Sequence, residues 1–103
     1  MILYNVTVSI DARIHEEWLD WMKTKHIPDV MATGCFIESR LSRIHGEEGE
    51  LSFAISYLCK TQEEYDTYIR EYAVELQQEH AQKFTDKFAA FRTMLTVLEE
   101  FSA

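Results

Sequence analysis

Two histidines stand where an imidazole could do chemistry. His26 closes the stretch WLDWMKTKH, after Trp18 and Trp21, which lie three residues apart and so share a helix face. His80 lies on the apolar side of a later helix, four residues after Leu76 and four before Phe84. If His26, His80, Trp21 and a tyrosine from Tyr65, Tyr68 or Tyr72 converge, they line a pocket of aromatic walls with a few polar groups, as small-molecule sites do. An imidazole there could act as acid or base near neutral pH, or ligate haem iron. No further haem signature is present, and no cofactor is expected. Each residue also has a purely structural reading. The tryptophans can be core and edge packing, His26 can bond the free carbonyls of a helix C-terminus, and His80 can be a satisfied core residue.

A rival set is Asn5, Glu38, Arg40 and Arg92, on the other face of the sheet derived below. An Arg and an Asn there could grip a carboxylate. Equally, Glu38 and Arg40 could pair with each other on a polar, solvated or dimer-buried face. Other chemistries lack their residues. His15, His26, His45 and His80 have no metal spacing, and Cys35 and Cys59 form no CxxC, so no metal site is expected. There is no phosphate-cradling GxGxxG or GxxxxGK[ST], and no GxSxG nucleophile elbow. HGEEGE is too poor in ligands for a calcium loop.

Ten basic against eighteen acidic residues leave a formal charge of -8, which argues against nucleic acid and anionic membranes as partners. At 103 residues, 47% of them hydrophobic, the chain reads as one globular domain over residues 1–103. No leader or membrane-length apolar run is read, so a cytoplasmic protein with reduced cysteines is expected.

These residues need elements to hold them. ILYNVTVSI alternates with period two, Tyr4, Val6 and Val8 pointing inward and Asn5, Thr7 and Ser9 outward. Asp11 can cap a helix bearing Ile14, Trp18, Trp21, Met22 and Lys25 on one side. Pro28 should stop or kink that helix at Ile27 and start a short one, PDVMAT, which Gly34 ends in left-handed geometry. CFIESRLSRI and ELSFAISYLCK form a hairpin around HGEEG. Burial of one face pairs Leu41 with Phe53, Ser39 with Ile55 and Ile37 with Tyr57. That register sets Cys35 opposite Cys59, close enough for a disulfide, although both are expected as reduced packing residues. Thr61 and Glu64 make a capping box for one long helix with Tyr65, Tyr68, Ile69, Tyr72, Ala73, Leu76, His80 and Phe84 along one side. FAAFRTMLTVLEEF is the last strand, with Phe91, Thr93, Leu95 and Val97 read as inward and Arg92 as outward.

The order β-α-β-β-α-β predicts an α+β, ferredoxin-like domain: a four-stranded antiparallel sheet with two helices on one face. The open face, interrupted by Leu3, Phe36 and Leu58, can stack on a second copy to form a dimeric α/β barrel. YNVTVSID, WLDWM, HIPDVMATGCF, the helix ending EHAQKF, and FRTML together resemble an uncharacterised bacterial family, domain of unknown function 4286, over nearly the whole chain. The resemblance implies the same fold and kinship with dimeric α/β-barrel proteins, among them cofactor-free monooxygenases and haem-binding members. It carries no catalytic assignment. Two functions stay open: a homodimer that binds a small, partly apolar molecule, with or without cofactor-free monooxygenase-like or isomerase-like chemistry, and a non-enzymatic dimerising protein-interaction module. Candidate binding residues are Trp18, Trp21, His26, Tyr72, His80, Asn5 and Arg92.

Overall fold

A computed structural model of the chain describes residues 1–46 and 51–103. Its elements are β1 (Ile2–Ile10), α1 (His15–Trp21), α2 (Ile27–Ala32), β2 (Glu38–Ile44), β3 (Ser52–Cys59), α3 (Gln62–Glu71), α4 (Ala73–Lys83) and β4 (Phe88–Thr96). The strands make one antiparallel sheet in the order β2-β3-β1-β4, with the helices packed on one face, which is the ferredoxin-like arrangement. Period-two burial builds the sheet's side of the core. Ile2, Tyr4, Val8 and Ile10 of β1 and Phe53, Ile55, Tyr57 and Cys59 of β3 are all buried. The helices add Trp18, Met22, Val30, Tyr68, Ala73 and Phe84.

Pro28 does not stop the first helix. Met22–His26 wind as a π-helical turn, in which the Ile27 N–H bonds the Met22 carbonyl five residues back, and α2 follows directly. The wider turn dispenses with the four-back bond that Pro28 cannot make. It also has a packing consequence. Trp18, Met22, His26 and Val30 recur every four residues, whereas an α-helix turns in 3.6. The π turn absorbs the drift, so Trp18, Met22 and Val30 are all buried on the sheet side. His26 therefore lies inside the helical path and not at its end. Lys25 faces out, exposed, and pairs with Asp29. Gly34 closes α2 as expected, with φ 77° and its amide on the Met31 carbonyl at 3.1 Å.

The β2–β3 register is shifted by two residues from the expected one. Leu41 faces Ile55, Ser39 faces Tyr57 and Arg43 faces Phe53. Parity, and hence the face each side chain takes, is unchanged. Phe36 does not join the strand. It turns into the core and packs on Tyr68 at 4.8 Å and Tyr57 at 5.1 Å between ring centroids, leaving the open face without it. Cys35 thus precedes β2 and does not face Cys59, whose partner is Ile2. Both thiols are free and buried. The hairpin connection read at HGEEG falls largely on residues 47–50, outside the described residues.

Thr61 caps α3, its hydroxyl accepting from the Glu64 amide at 3.2 Å. The expected single long helix is broken at Tyr72, where φ is -125° and ψ is -34°. Ile69 and Tyr72 turn out to be exposed and leave the apolar side.

The last strand is inverted relative to expectation. β1 pairs Val8 with Ala90, Val6 with Arg92 and Tyr4 with Met94, so these face the helices. Phe91, Thr93 and Leu95 fall on the open face, beside Thr7, Asn5 and Leu3. Phe91 is 63% exposed there. Among the described residues no helix is long and apolar enough to cross a membrane.

Candidate functional site

The π turn, α4 and β4 bring the two histidines together. The His26 and His80 rings lie 5.6 Å apart between centroids. Trp21 stacks on His26 at 5.2 Å and 27° and touches His80 and Phe84 from the side. Trp18 is fully buried, and its Nε1–H donates to His80 Nε2 at 2.9 Å. That bond fixes the tautomer: Nε2 is bare, so neutral His80 carries its proton on Nδ1. His80 is 8% exposed and packs edge-on against Phe88 at 4.3 Å. His26 Nδ1 is buried and has no hydrogen-bond partner among the described residues. Such a group costs about 1–3 kcal/mol and calls for a reason.

Both imidazoles line one cavity of about 40 Å³ between helices and sheet. Its walls are Tyr4, Val6 and Val8 of β1, Ile55 and Tyr57 of β3, Met22, Tyr68, Gln77, and Ala90 and Arg92 of β4. Gln77, His80, Ala90 and Arg92 also line an outer groove of about 430 Å³ that runs between α4 and β4 past Val74, Ala81 and Phe88. The two spaces thus share a wall of these four residues. The inner one has room for about two or three waters, well under the roughly 300 Å³ of an ordinary ligand pocket.

Burial lowers both histidines from 6.5 to about 4. Lys25 and Arg92 push His26 the same way, and Asp29 opposes them. The charges of His26 and Arg92 add to the effect on His80. Burial raises Tyr4, Tyr57 and Tyr68 as well, with the guanidinium of Arg92 opposing it at Tyr4 and Tyr68. At neutral pH the described residues that line the cavity are therefore uncharged donors, acceptors and apolar groups, apart from Arg92.

The remaining expected residues lie elsewhere. Tyr72 is 37% exposed on a separate groove with Asp29, Glu75 and Glu79. Asn5 sits on the open face and donates to Thr7 Oγ1 at 3.2 Å. The rival set is therefore divided, because Arg92 points to the helices while Asn5, Glu38 and Arg40 do not. Among the described residues Glu38 and Arg40 form no ion pair, and no cluster of His, Cys, Asp and Glu is suited to a metal. Sequence reasoning passed over Tyr4, Tyr57 and Gln77. The inward parity of β1 and β3 was the available signal for the two tyrosines.

Solved structures share the fold at low identity. A dimeric ferredoxin-like protein from an uncultured marine organism has a TM-score of 0.77 at 12% identity over 97% of both chains. A putative antibiotic biosynthesis monooxygenase from Bacillus cereus scores 0.70 at 11% identity, covering 99% of this chain and 97% of that one. A haem degrader from Mycobacterium tuberculosis, with two haems bound in its active site, scores 0.70 at 10% identity over 99% and 100%. No curated protein matches the chain. Residues 1–98 match the model of one family, so the chain belongs to the domain of unknown function family DUF4286.

Proposed function

We propose that this protein binds a small, partly apolar molecule at the junction of the inner cavity and the α4–β4 groove, and that it works as a homodimer through the open sheet face, without a bound cofactor. The observation that carries the binding reading is His26 Nδ1, buried without a partner beside a cavity lined by two neutral imidazoles. Cofactor-free chemistry is the weaker half of the reading. A general base works best when its pKa lies near the working pH, and imidazoles held at about 4 are poor bases for carbon acids at pH 7. Native mass spectrometry of protein purified from its own host, before and after denaturation, tests the binding. A small mass lost on denaturation is the expected result. A clean protein, whose His26 and His80 NMR signals also ignore a library of small organic molecules, overturns it.

The dimer reading rests on Phe91 and Leu95, 63% and 44% exposed on the open face, where a second sheet would cover them. Sedimentation of Phe91→Glu tests it. The parent should run as a dimer and the variant as a monomer, and a monomeric parent refutes it. A second reading, the protein-interaction module, is favoured by Leu98 and Phe101, 93% and 87% exposed beyond β4. If Leu98→Ser/Phe101→Ser abolishes a protein contact while ligand binding stays intact, the module reading gains.

A further inference from the structure

We infer that the ligand of this site is a monocarboxylate with a slim apolar body, its acid group held by Arg92. The inference rests on the binding reading above and names the class of molecule. Among the described residues Arg92 is the one formal charge lining the cavity and the groove at pH 7. No Asp or Glu among the described residues lines either space. Among the described residues no carboxylate pairs with Arg92. Its position is set by the sheet, since Arg92 faces Val6 across β1 and so stands over the cavity mouth. Its charge reaches Tyr4, Tyr68, His26 and His80.

A lone guanidinium amid neutral walls selects a single negative charge. Arginine binds carboxylates through two parallel hydrogen bonds, and Gln77 and the Tyr4 hydroxyl stand beside it to complete the contact. A phosphate monoester carries nearly two charges, and among the described residues no second cation lines this site to match them. The groove's Val74, Ala81 and Phe88 offer the apolar body a wall. The inner cavity takes only a tip of a few atoms, within reach of the unsatisfied His26 nitrogen.

The test uses matched pairs on the intact protein: octanoate against octanamide, and phenylacetate against phenylacetamide. Binding is followed by calorimetry and by shifts of the Gln77, His26 and His80 NMR signals at pH 7. Each acid should bind about tenfold tighter than its amide. Arg92→Gln should bring the acid down to the amide, and Arg92→Lys should keep part of the preference. Arg92 is exposed on an edge strand, so both variants should fold, and their amide spectra check it. Acid and amide binding equally tightly at these signals overturns the carboxylate assignment and leaves the pocket reading standing. Neither member of any pair binding at millimolar concentration overturns both. An acid preference that survives Arg92→Gln places the anion elsewhere and also refutes the inference.

Discussion

Mild acidification should destabilise this protein through its two buried histidines. His26 and His80 are held at about 4, against 6.5 in an open chain. Between those values the unfolded chain binds protons that the folded one refuses. The stability contributed by the neutral imidazoles is thus complete above pH 6.5 and is lost as pH falls towards 4. The drop from 6.5 to about 4 corresponds to about 3 kcal/mol for each group once the loss is complete. At pH 5 it comes to about 2 kcal/mol each, about 4 kcal/mol for the pair, a large share of the 5–15 kcal/mol usual for a domain. Urea unfolding followed by tryptophan fluorescence at steps from pH 7 to 4.5 reads this directly. The steepest dependence should approach about 2.7 kcal/mol per pH unit, the slope for two protons. His80→Gln can still accept the Trp18 hydrogen bond but cannot titrate, so its slope should fall to about half. Stability that stays level between pH 7 and 5, or a variant as steep as the parent, would refute the reasoning.

Other perturbations separate the forces in the fold. Ile55→Ala empties a site only 1% exposed beneath the cavity and should cost about 2–5 kcal/mol in urea unfolding. Gly34→Ala meets no atom within 4 Å, so its cost of about 1–2 kcal/mol should be purely the left-handed backbone, and Gly34→Asn should cost less. Thr61→Ala removes the α3 cap and should lose about 1 kcal/mol, while Thr61→Ser should lose little. Trp18→Phe deletes the donor to His80 Nε2, and the expected readout is a rise in the His80 pKa by NMR titration.

Much of the architecture was legible because burial enforces parity. The alternation of β1 placed Tyr4, Val6 and Val8 on the helix side, and the β2–β3 faces came out right even though their register was two residues off. β4 was misread for a physical reason. Its apolar residues Phe91 and Leu95 lie on the open face, so choosing the more apolar set as inward selects the wrong side wherever a sheet keeps a second apolar surface. That reversal hid Arg92 from the site. The meeting of His26 with His80 was legible only as a condition, because Pro28 suggested a helix end while the four-residue spacing of Trp18, Met22, His26 and Val30 pointed to a continuous, widened helix. Asn5 lies on the open face, as its parity in β1 implied, but without Arg92 beside it, and Tyr72, placed with His80 by helical spacing, is 37% exposed on another groove.

The π turn at Met22–His26 has a bearing on the chain's history as well as on its packing. A π turn holds one residue more than the α turn it replaces, and each helical residue advances the chain by about 100°. Deleting a single residue among Lys23, Thr24 and Lys25 would take out the extra residue and swing everything after it around the axis by about that angle. Val30 would leave the core and His26 would part from His80, with every other element untouched. The histidine pair is therefore one insertion or deletion away from existing or not. A relative one residue shorter in this turn should share the sheet and the helices yet lack the paired imidazoles.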